Sequence, residues 1–321
     1  MKTAYRYPVL LLGLIILTAC GESTPADHHD PTSTPISSPE KQKVLGASLL
    51  TQTHIFYQDL VAAMQEQAAK EGFTLRVQYC ENDGTKQNGQ IETYIVQGVD
   101  ALIVSPVDSA AVAPVIADAQ AKGIPVFTVD IAAYGAKVTS HIASDNVQGG
   151  RLIGEYLATA LGGRGQIAII DYPEVASVID RVRGFEEALA KYPDMAIVAR
   201  PPGYGQRDKA ERAAQDMLQA HTVLDGIFGI NDASALGALA AVEAAGRQEE
   251  IVIVGYDGTP EAREAILAGK ALKADTVQHP EEIGRIAIET IAKHFRGEVV
   301  PVQIPVEVGI IDQAALAAPG A

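Results

Sequence analysis

The sequence lacks tryptophan, has only 6 phenylalanines and contains just 2 cysteines among its 321 residues. Hydrophobic residues still make up 47% of the chain, so the interior has to be built mainly from Ala, Val, Ile and Leu. A core of small aliphatic residues is typical of helices packed on buried parallel strands. The chain exceeds one typical domain in length, so we expect two lobes of roughly 100 to 150 residues each.

Basic residues are also scarce, because 25 Lys and Arg face 40 Asp and Glu and give a formal net charge of −15. Such an acidic surface argues against nucleic acid as a partner and against electrostatic docking on anionic lipid. Common enzyme motifs are missing: there is no Gly-x-Gly-x-x-Gly between a strand and a helix, no Walker A loop, no His-Glu-x-x-His and no Gly-x-Ser-x-Gly. We therefore expect no catalysis, no cofactor and no metal site.

Residues 1–20 have the pattern of an export signal. Lys2 and Arg6 supply positive charge, an apolar run follows at 9–17, and the motif Leu17-Thr18-Ala19-Cys20 comes next. This motif resembles a bacterial lipobox, which implies cleavage before Cys20 and attachment of lipid to its sulfur. A membrane-spanning helix is less favoured, because the apolar run is about half of the roughly 20 residues that a span needs. The mature chain is thus expected to be extracytoplasmic, in the periplasm or on the outer face of the cell membrane.

The segment 20–43 is predicted to be a flexible stalk. It is rich in Pro, Ser and Thr and has almost no large apolar side chain, so it cannot bury enough surface to fold. Beyond the stalk, Cys80 would be the one cysteine without lipid, which excludes an intramolecular disulfide in the mature chain. We expect Cys80 to act as a small buried hydrophobe near the end of a strand.

From residue 44 onward, short apolar runs alternate with helical patterns. Strands are predicted at 44–50, 73–80, 101–105, 125–129, 139–146, 166–170, 196–200, 226–229, 251–254, 272–276 and 302–308. Helices are predicted at 56–70, 111–122, 148–161, 179–191, 207–220, 233–245, 261–268 and 280–296. This alternation predicts the α/β class, with two doubly wound parallel sheets that are covered by helices on both faces.

Polar residues directly follow three of the predicted strands, namely Asp130, Asn231 and Asp257. In open α/β sheets ligands bind beyond the carboxyl ends of the strands, so these side chains are candidates for one shared site. The alternative is that each residue only caps the helix that follows, since Asp and Asn are preferred N-caps. Their occurrence at equivalent junctions in both halves of the chain favours the shared site.

Five stretches give the chain a resemblance to a known family. They are Gly123-Ile124-Pro125-Val126, Ser140-His141-Ile142-Ala143-Ser144-Asp145-Asn146, Arg181-Val182-Arg183-Gly184-Phe185, Asn231-Asp232-Ala233-Ser234-Ala235-Leu236-Gly237-Ala238-Leu239 and Val254-Gly255-Tyr256-Asp257-Gly258-Thr259-Pro260. From Val44 to about Asp312 the chain resembles the ribose-binding-protein-like periplasmic sugar receptors, the type I solute-binding proteins of ABC importers. The resemblance implies two lobes joined by a hinge that the chain crosses three times.

The resemblance also implies the domain boundaries. After a signal peptide at 1–19 and the stalk at 20–43, the N-terminal lobe would comprise 44–144 and 279–306, and the C-terminal lobe 145–278 and 307–321. The crossings are expected near Ser144-Asp145, after Gln278 and near Val306-Glu307. Ligand contacts that are divided between the lobes would be complete only in a closed form, so the ligand would shift the population toward closure.

The ligand-binding residues implied by the resemblance lie on both lobes. Asp130 would accept hydrogen bonds from ligand hydroxyls, and further polar contacts from the second lobe and hinge would come from Arg181, Asn231, Asp257 and Gln278. Aromatic positions are matched by Phe56, Tyr204 and Tyr256, and a role in the core stays open for each of them.

The sequence departs from ribose receptors at several of these positions. Ile131 stands where they carry an arginine, and Thr53 and Ile55 stand where they carry an asparagine and a phenylalanine. An arginine–hydroxyl hydrogen bond contributes about 1.5 to 3 kcal/mol, so its loss argues against ribose itself. Another pentose, a hexose, a polyol or a deoxygenated sugar could use the more apolar surface of Ile131.

The expected function is that of a monomeric lipoprotein that delivers a monosaccharide or small polyol to an ABC permease and its ATPase. A receptor that feeds a sensor kinase or chemoreceptor, with a ligand such as a sugar or autoinducer-2, remains an open alternative. Lactose-repressor-like regulators share the fold, but they need a helix-turn-helix ahead of the core, where this chain has the export signal and stalk.

Overall fold

The computed structural model describes residues 42–318, which form two α/β lobes, each built on a six-stranded sheet. The predicted signal peptide, Cys20 and nearly all of the predicted stalk lie outside the described residues. Within residues 42–318, no helix is both long enough and apolar enough to cross a membrane.

The first lobe is built on a wholly parallel sheet. Its strands are β1 (Val44–Leu49), β2 (Thr74–Tyr79), β3 (Ala101–Val104), β4 (Val126–Val129), β5 (Ser140–Ser144) and β11 (Gln303–Val306). Its helices are α1 (Ile55–Lys70), α2 (Gly84–Gln97), α3 (Ala113–Ala121) and α9 (Pro280–Phe295). The strand order is β11-β5-β4-β3-β1-β2, so β3 and β4 lie at the centre of the sheet, and β2 and β11 form its two edges.

The second lobe has a mixed sheet with the order β12-β10-β9-β8-β6-β7. Its strands are β6 (Arg164–Ile170), β7 (Asp194–Ala199), β8 (Gly226–Gly229), β9 (Val252–Asp257), β10 (Leu272–Val277) and β12 (Gly309–Asp312). Its helices are α4 (Asn146–Ala160), α5 (Ala176–Leu189), α6 (Arg207–Ala220), α7 (Asp232–Ala244), α8 (Pro260–Leu267) and α10 (Gln313–Leu316). The edge strand β12 is antiparallel to β10, whereas the prediction was a wholly parallel sheet.

The chain passes between the two lobes at three places. It leaves the first sheet after β5, returns to the first lobe between β10 and α9, and leaves again between β11 and β12. The extended run predicted at 302–308 contains β11 alone, and β12 at Gly309–Asp312 was not predicted. The predicted α/β class with two lobes is confirmed.

The central strands are buried on both faces, as the aliphatic composition predicts. Every residue of β3, β4 and β8 is buried, and helices cover both sides of each sheet. Cys80 directly follows β2 and is fully buried, with its thiol 3.2 Å from the carbonyl oxygen of Leu49. Burial raises the pKa of this thiol, so the prediction of a buried, apolar cysteine is confirmed.

Helix α2 was missed by the sequence patterns, because two of its four buried residues are glutamines. Gln87 donates to the carbonyl oxygen of Ser105 at 2.8 Å, and Gln90 accepts from the hydroxyl of Ser48 at 2.8 Å. These buried amides replace part of the apolar stripe by which an amphipathic helix is recognised. Hydrogen bonds to the sheet therefore hold α2 in place where apolar residues would be expected.

Helices α4 and α5 are in backbone contact through two glycines. A Cβ atom on Gly150 would lie 1.9 Å from the carbonyl oxygen of Arg181, and one on Gly184 would lie 2.0 Å from that of Val147. No side chain fits at either point, so this approach requires glycine. The contact fixes α5, the helix that carries Arg181, against α4.

Candidate ligand-binding site between the lobes

A cavity of about 100 Å³ lies between the lobes and is lined by residues of both. It sits beyond the carboxyl ends of the strands, where ligands bind in open α/β sheets. A cleft lined by both lobes is a usual binding place for one small molecule. All predicted ligand-binding residues except Thr53 and Tyr256 line it, namely Phe56, Asp130, Ile131, Arg181, Tyr204, Asn231, Asp257 and Gln278.

Asp130 brings a buried carboxylate from the first lobe. It follows β4, and its Oδ2 accepts a hydrogen bond of 2.6 Å from the hydroxyl of Tyr57. Burial raises the pKa of Asp130, while the nearby charge of Arg181 lowers it. Burial, followed by the charge of Asp130, also raises the pKa of Tyr57 well above its usual value, so this phenol remains a donor. Oδ1 of Asp130 has no hydrogen bond from a described residue and can accept one from a ligand.

Asp257 brings the second carboxylate, from the end of β9 in the second lobe. Its Oδ1 accepts from Nε2 of Gln278 at 2.7 Å, and Gln278 in turn accepts from the hydroxyl of Ser144 at 2.8 Å. Ser144 ends β5 of the first lobe, so Gln278 links the first lobe to this carboxylate. Oδ2 of Asp257 lies 3.5 Å from Nε2 of His54, another first-lobe residue.

Arg181 supplies the cationic donor and is only 5% exposed. Its Nε donates to Oδ1 of Asn146 and its Nη1 donates to the carbonyl oxygen of Ile230, each at 2.9 Å. These bonds fix the plane of the guanidinium, and Nη2 has no acceptor among the described residues. The group is thus held in one orientation with donors left for a ligand.

His54 is a site residue that the sequence interpretation missed. It is the N-cap of α1, and its Nδ1 accepts from the backbone N–H of Phe56 at 3.2 Å. An accepting Nδ1 places the ring proton of neutral His54 on Nε2, the atom that faces Asp257. The sequence signal that could have revealed His54 is its position as a polar residue directly before α1, where N-cap residues are found.

Tyr57 was missed as well, because its place in the first turn of α1 is equally typical of a core residue. Its ring packs edge-on against Phe56 with centroids 5.3 Å apart, and only its hydroxyl reaches Asp130.

Two predicted site residues lie elsewhere. Thr53 is on an exposed turn, where its backbone N–H donates to the hydroxyl of Thr51 at 3.2 Å. Tyr256 is fully buried within β9, and the guanidinium of Arg181 stacks on its ring. Because successive side chains of a strand point to opposite faces, Asp257 faces the cavity and Tyr256 does not.

The helix-cap alternative holds for one of the three polar residues that follow strands. Oδ1 of Asn231 accepts from the backbone N–H of Ser234 at 2.9 Å and so caps α7, although Asn231 also lines the cavity. Neither Asp130 nor Asp257 is the N-cap of a helix within residues 42–318, and α8, which follows Asp257, is capped by Thr259. Oδ2 of Asp257 does lie 3.5 Å from the backbone N–H of Asp232 at the start of α7, so Asp257 combines a weak contact to a helix N-terminus with its place on the cavity.

The cavity also has aromatic and apolar walls. Phe56 lines it from the first lobe, and Tyr204 from the second, where its ring packs edge-on against Tyr172 with centroids 5.7 Å apart. Ile131 and Val178 add aliphatic surface. Carboxylates and a guanidinium beside aromatic rings suit a small molecule with hydroxyl groups on its rim and C–H groups on its faces.

Several lining residues have backbone torsions that L-amino acids rarely adopt. The φ angle is 63° at Asp130, 53° at Tyr204 and 130° at Asp257. Such conformations cost of order 1 to 3 kcal/mol each and concentrate at ligand-binding sites. Here they turn the chain sharply after β4 and β9, so that the carboxylates of Asp130 and Asp257 enter the cavity.

Comparison with known proteins agrees with this geometry. Residues 45–298 match the family model described as a periplasmic binding protein domain. The chain belongs to this family. The binding protein is 32% identical over 293 residues to the ribose import binding protein of Bacillus subtilis (strain 168), and the match covers 91% of this chain and 93% of that protein. The expected resemblance to ribose-binding-like receptors is confirmed.

Solved structures of ABC transporter solute-binding proteins have the same fold. One from Mycobacterium smegmatis with bound glycerol is 35% identical with a TM-score of 0.81, covering 86% of this chain and 96% of that chain. Another, from Actinobacillus succinogenes 130z with bound D-allose, is 30% identical with a TM-score of 0.78, covering 86% and 99%. The type I periplasmic-binding-protein fold is thereby confirmed.

Proposed function

We propose that this periplasmic binding protein binds one monosaccharide or small polyol in the cavity between its lobes and delivers it to an ABC importer. The observation that carries the proposal is the convergence of Asp130 from one lobe and Asp257 from the other on a cavity that also holds Arg181. The functions named for its relatives, which range from ribose import to binding of glycerol and D-allose, support the same ligand class.

The charges of the cavity favour a neutral ligand. Asp130 and Asp257 are acidic and Arg181 is basic, so a phosphorylated or carboxylated sugar would add negative charge to a buried and already acidic site. A hydrogen bond to a charged group contributes about 1.5 to 3 kcal/mol. A few such bonds and one stacked ring are enough for a micromolar dissociation constant, which corresponds to about −8 kcal/mol.

Closure of the lobes would complete the site. Asp130 and Tyr57 belong to the first lobe, and Arg181 and Asn231 to the second, so a ligand in the cavity contacts both at once. A ligand with contacts on both lobes binds the closed form better than the open form, and it shifts the population accordingly.

Import is favoured over sensing, because the relatives described above act in import or are ABC transporter solute-binding proteins. The same relatives support a binding role over catalysis. The lipobox-like motif at Cys20 supports a lipid anchor on the extracytoplasmic side. The relatives' part in ABC transport supports an ABC permease and its ATPase as partners, and the protein is proposed to act as a monomer.

A thermal-shift screen tests the proposal. The purified protein is stripped of co-purified ligand by unfolding and refolding, then heated with D-ribose, D-allose, xylitol, myo-inositol, glycerol or autoinducer-2. A ligand that binds only the folded state raises the melting temperature. A shift with a sugar or polyol supports the proposal. No shift with any of these compounds, in protein that refolds fully, would contradict it.

A further inference from the structure

Helix α5, which carries Arg181, begins without a cap from its own segment. Its N-cap residue is Val175, whose side chain makes no capping hydrogen bond. The first backbone N–H groups of a helix have no partner within the helix, so they need another acceptor. For Ala176, the first residue of α5, that acceptor is the hydroxyl oxygen of Ser109 at 3.0 Å. Ser109 belongs to the first lobe and α5 to the second, so the cap is supplied across the cleft.

A second hydrogen bond makes the contact reciprocal. The backbone N–H of Ser109 donates to the carbonyl oxygen of Glu174 at 3.3 Å, two residues before α5. Ser109 is 1% exposed and Ala176 is 2% exposed, so water has little access to either group. If such a buried hydrogen bond is lost while the lobes stay closed, the donor has neither water nor another partner, and this lowers the stability of the closed form.

The first lobe holds Ser109 in a fixed turn. The carboxylate of Asp108 accepts from the backbone N–H groups of Ala110 and Ala111 at 2.8 and 2.9 Å. The carbonyl oxygen of Ser109 accepts from the backbone N–H of Tyr134 at 2.6 Å. The hydroxyl of Ser109 is therefore presented to α5 by a preformed element, and little entropy is lost when the lobes meet.

We propose that Ser109 is a positioning residue for ligand binding, which caps α5 across the cleft and thereby stabilises the closed form in which Arg181 faces the ligand. Both of its hydrogen bonds to the second lobe require the lobes to be in contact. Ser109 does not line the cavity, so its effect on affinity has to act through closure. A residue of this kind slows ligand release and has little effect on the encounter rate.

Two substitutions and one control separate this role from general stability. Ser109→Ala removes the capping oxygen, and Ser109→Thr retains a hydroxyl at the same position. Ser140→Ala is the matched control, because Ser140 is also a fully buried first-lobe serine, but its hydroxyl donates to the carbonyl oxygen of Pro301 within the same lobe. The readout is amide hydrogen exchange by mass spectrometry, without ligand and at saturating D-ribose, D-allose or glycerol.

In Ser109→Ala we expect faster exchange confined to residues 175–178 in at least one of these conditions, with protection restored in Ser109→Thr. For any of the three compounds that raises the melting temperature, stopped-flow measurement should show a dissociation rate about 3- to 10-fold higher in Ser109→Ala. Its association rate should stay within about twofold of the wild-type value. Ser140→Ala should lower the melting temperature and leave the dissociation rate unchanged.

Two results would overturn the inference. One is equal exchange of residues 175–178 in wild type and Ser109→Ala at a saturating concentration of a compound that raises the melting temperature. The other is a loss of protection in Ser109→Ala that is spread over both lobes. Failure of all three compounds to raise the melting temperature would count against the proposed ligand class. The hydrogen-exchange comparison is then made at a saturating concentration of any other compound of the thermal-shift screen that raises the melting temperature, so the two failures stay distinguishable.

Discussion

The guanidinium carbon of Arg181 lies 3.9 Å from the centroid of the Tyr256 ring, with the cation stacked on the aromatic face. Tyr256 is fully buried, and its hydroxyl lies 3.4 Å from Oδ1 of Asn146, the same oxygen that accepts from Nε of Arg181. Tyr256 therefore supports the cavity-lining cation of Arg181 from behind and does not itself line the cavity.

Replacing this ring should weaken ligand binding without any direct ligand contact being lost. A buried cation–π contact contributes about 2 kcal/mol, so we expect Tyr256→Leu to reduce sugar affinity roughly 10- to 30-fold in titration calorimetry. Tyr256→Phe keeps the aromatic face and should bind within about threefold of wild type. Equal losses in the two variants would show that the hydroxyl, and not the ring, supports Arg181.

Asp257→Asn should reduce ligand affinity at least about 100-fold, because it replaces a charged acceptor inside the cavity with a neutral amide that keeps one accepting oxygen for the Gln278 amide and none for the ligand. Asparagine is the suitable replacement, since it tolerates the positive φ of 130° better than alanine does. The control is Asp225→Asn, which alters a carboxylate that accepts from the backbone N–H of Gln166 and does not line the cavity. Calorimetry should show normal binding in the control, and unchanged affinity in Asp257→Asn would remove this residue from the site.

Gly150→Ala should destabilise the protein by about 2 kcal/mol or more, because the added methyl group collides with the backbone of α5. Separation of α4 from α5 should also displace Arg181 and lower ligand affinity. Gly89→Ala is the matched control, since it adds the same methyl group to a helix where nothing lies within 4 Å. Urea unfolding should show this control to be stabilised by about 0.5 to 1 kcal/mol.

A pair of buried acids behind Asp257 should make stability depend on pH. Oδ1 of Asp232 and Oδ1 of Asp275 receive no hydrogen bond from a third described residue, and both lie 3.1 Å from the position of a Cβ on Gly255. The two carboxyl groups form a hydrogen bond with each other when one of them is protonated. Burial raises the pKa of Asp232 to about 6, and burial together with the charge of Asp232 raises that of Asp275. The folded state thus binds protons more tightly than the unfolded state, so this pair stabilises the fold most below about pH 4. That contribution falls as the pH rises through about 6.

Asp275→Asn removes one of these titrations and offers an amide donor to Asp232. We measure the free energy of unfolding of both proteins in urea at pH 4 and at pH 8. The difference between variant and wild type should shift in favour of the variant by about 1 kcal/mol or more as the pH rises over this range. The difference between the proteins is the useful quantity, because burial lowers the pKa of His141 to about 4 and gives the opposite slope in both. A difference in the free energy of unfolding that stays constant from pH 4 to pH 8 would contradict the raised pKa values of Asp232 and Asp275.

The sequence was sufficient for most of the fold, because its strands are continuous apolar runs separated by helices of ordinary length. It failed at α2, whose buried Gln87 and Gln90 carry no hydrophobic periodicity. It also failed at the edge strand β12, which begins at Gly309, after the predicted run at 302–308, and whose antiparallel pairing with β10 leaves no signal in the sequence pattern. Both failures concern elements held by hydrogen bonds that only the assembled sheets supply.

The candidate site was predictable to the extent that it follows from strand ends and from family resemblance. Asp130, Arg181 and Asp257 meet at one cavity as expected. The positions of His54 and Tyr256 were not predictable, because a shift of one residue along a turn or a strand decides which side chain faces the cavity. Ser109 gave no signal, since its partner on α5 is 67 positions away in the chain.

The left-handed backbone at Asp130, Tyr204 and Asp257 also determines how this receptor can be redesigned. Gly, and to a lesser degree Asn, adopts a positive φ most readily, so most other replacements of the two aspartates would cost stability. Ile131 and Val178 line the same cavity without a positive φ, and they accept a wider range of side chains. New ligand preferences should therefore arise by directed evolution at these aliphatic positions, while the carboxylates persist unchanged.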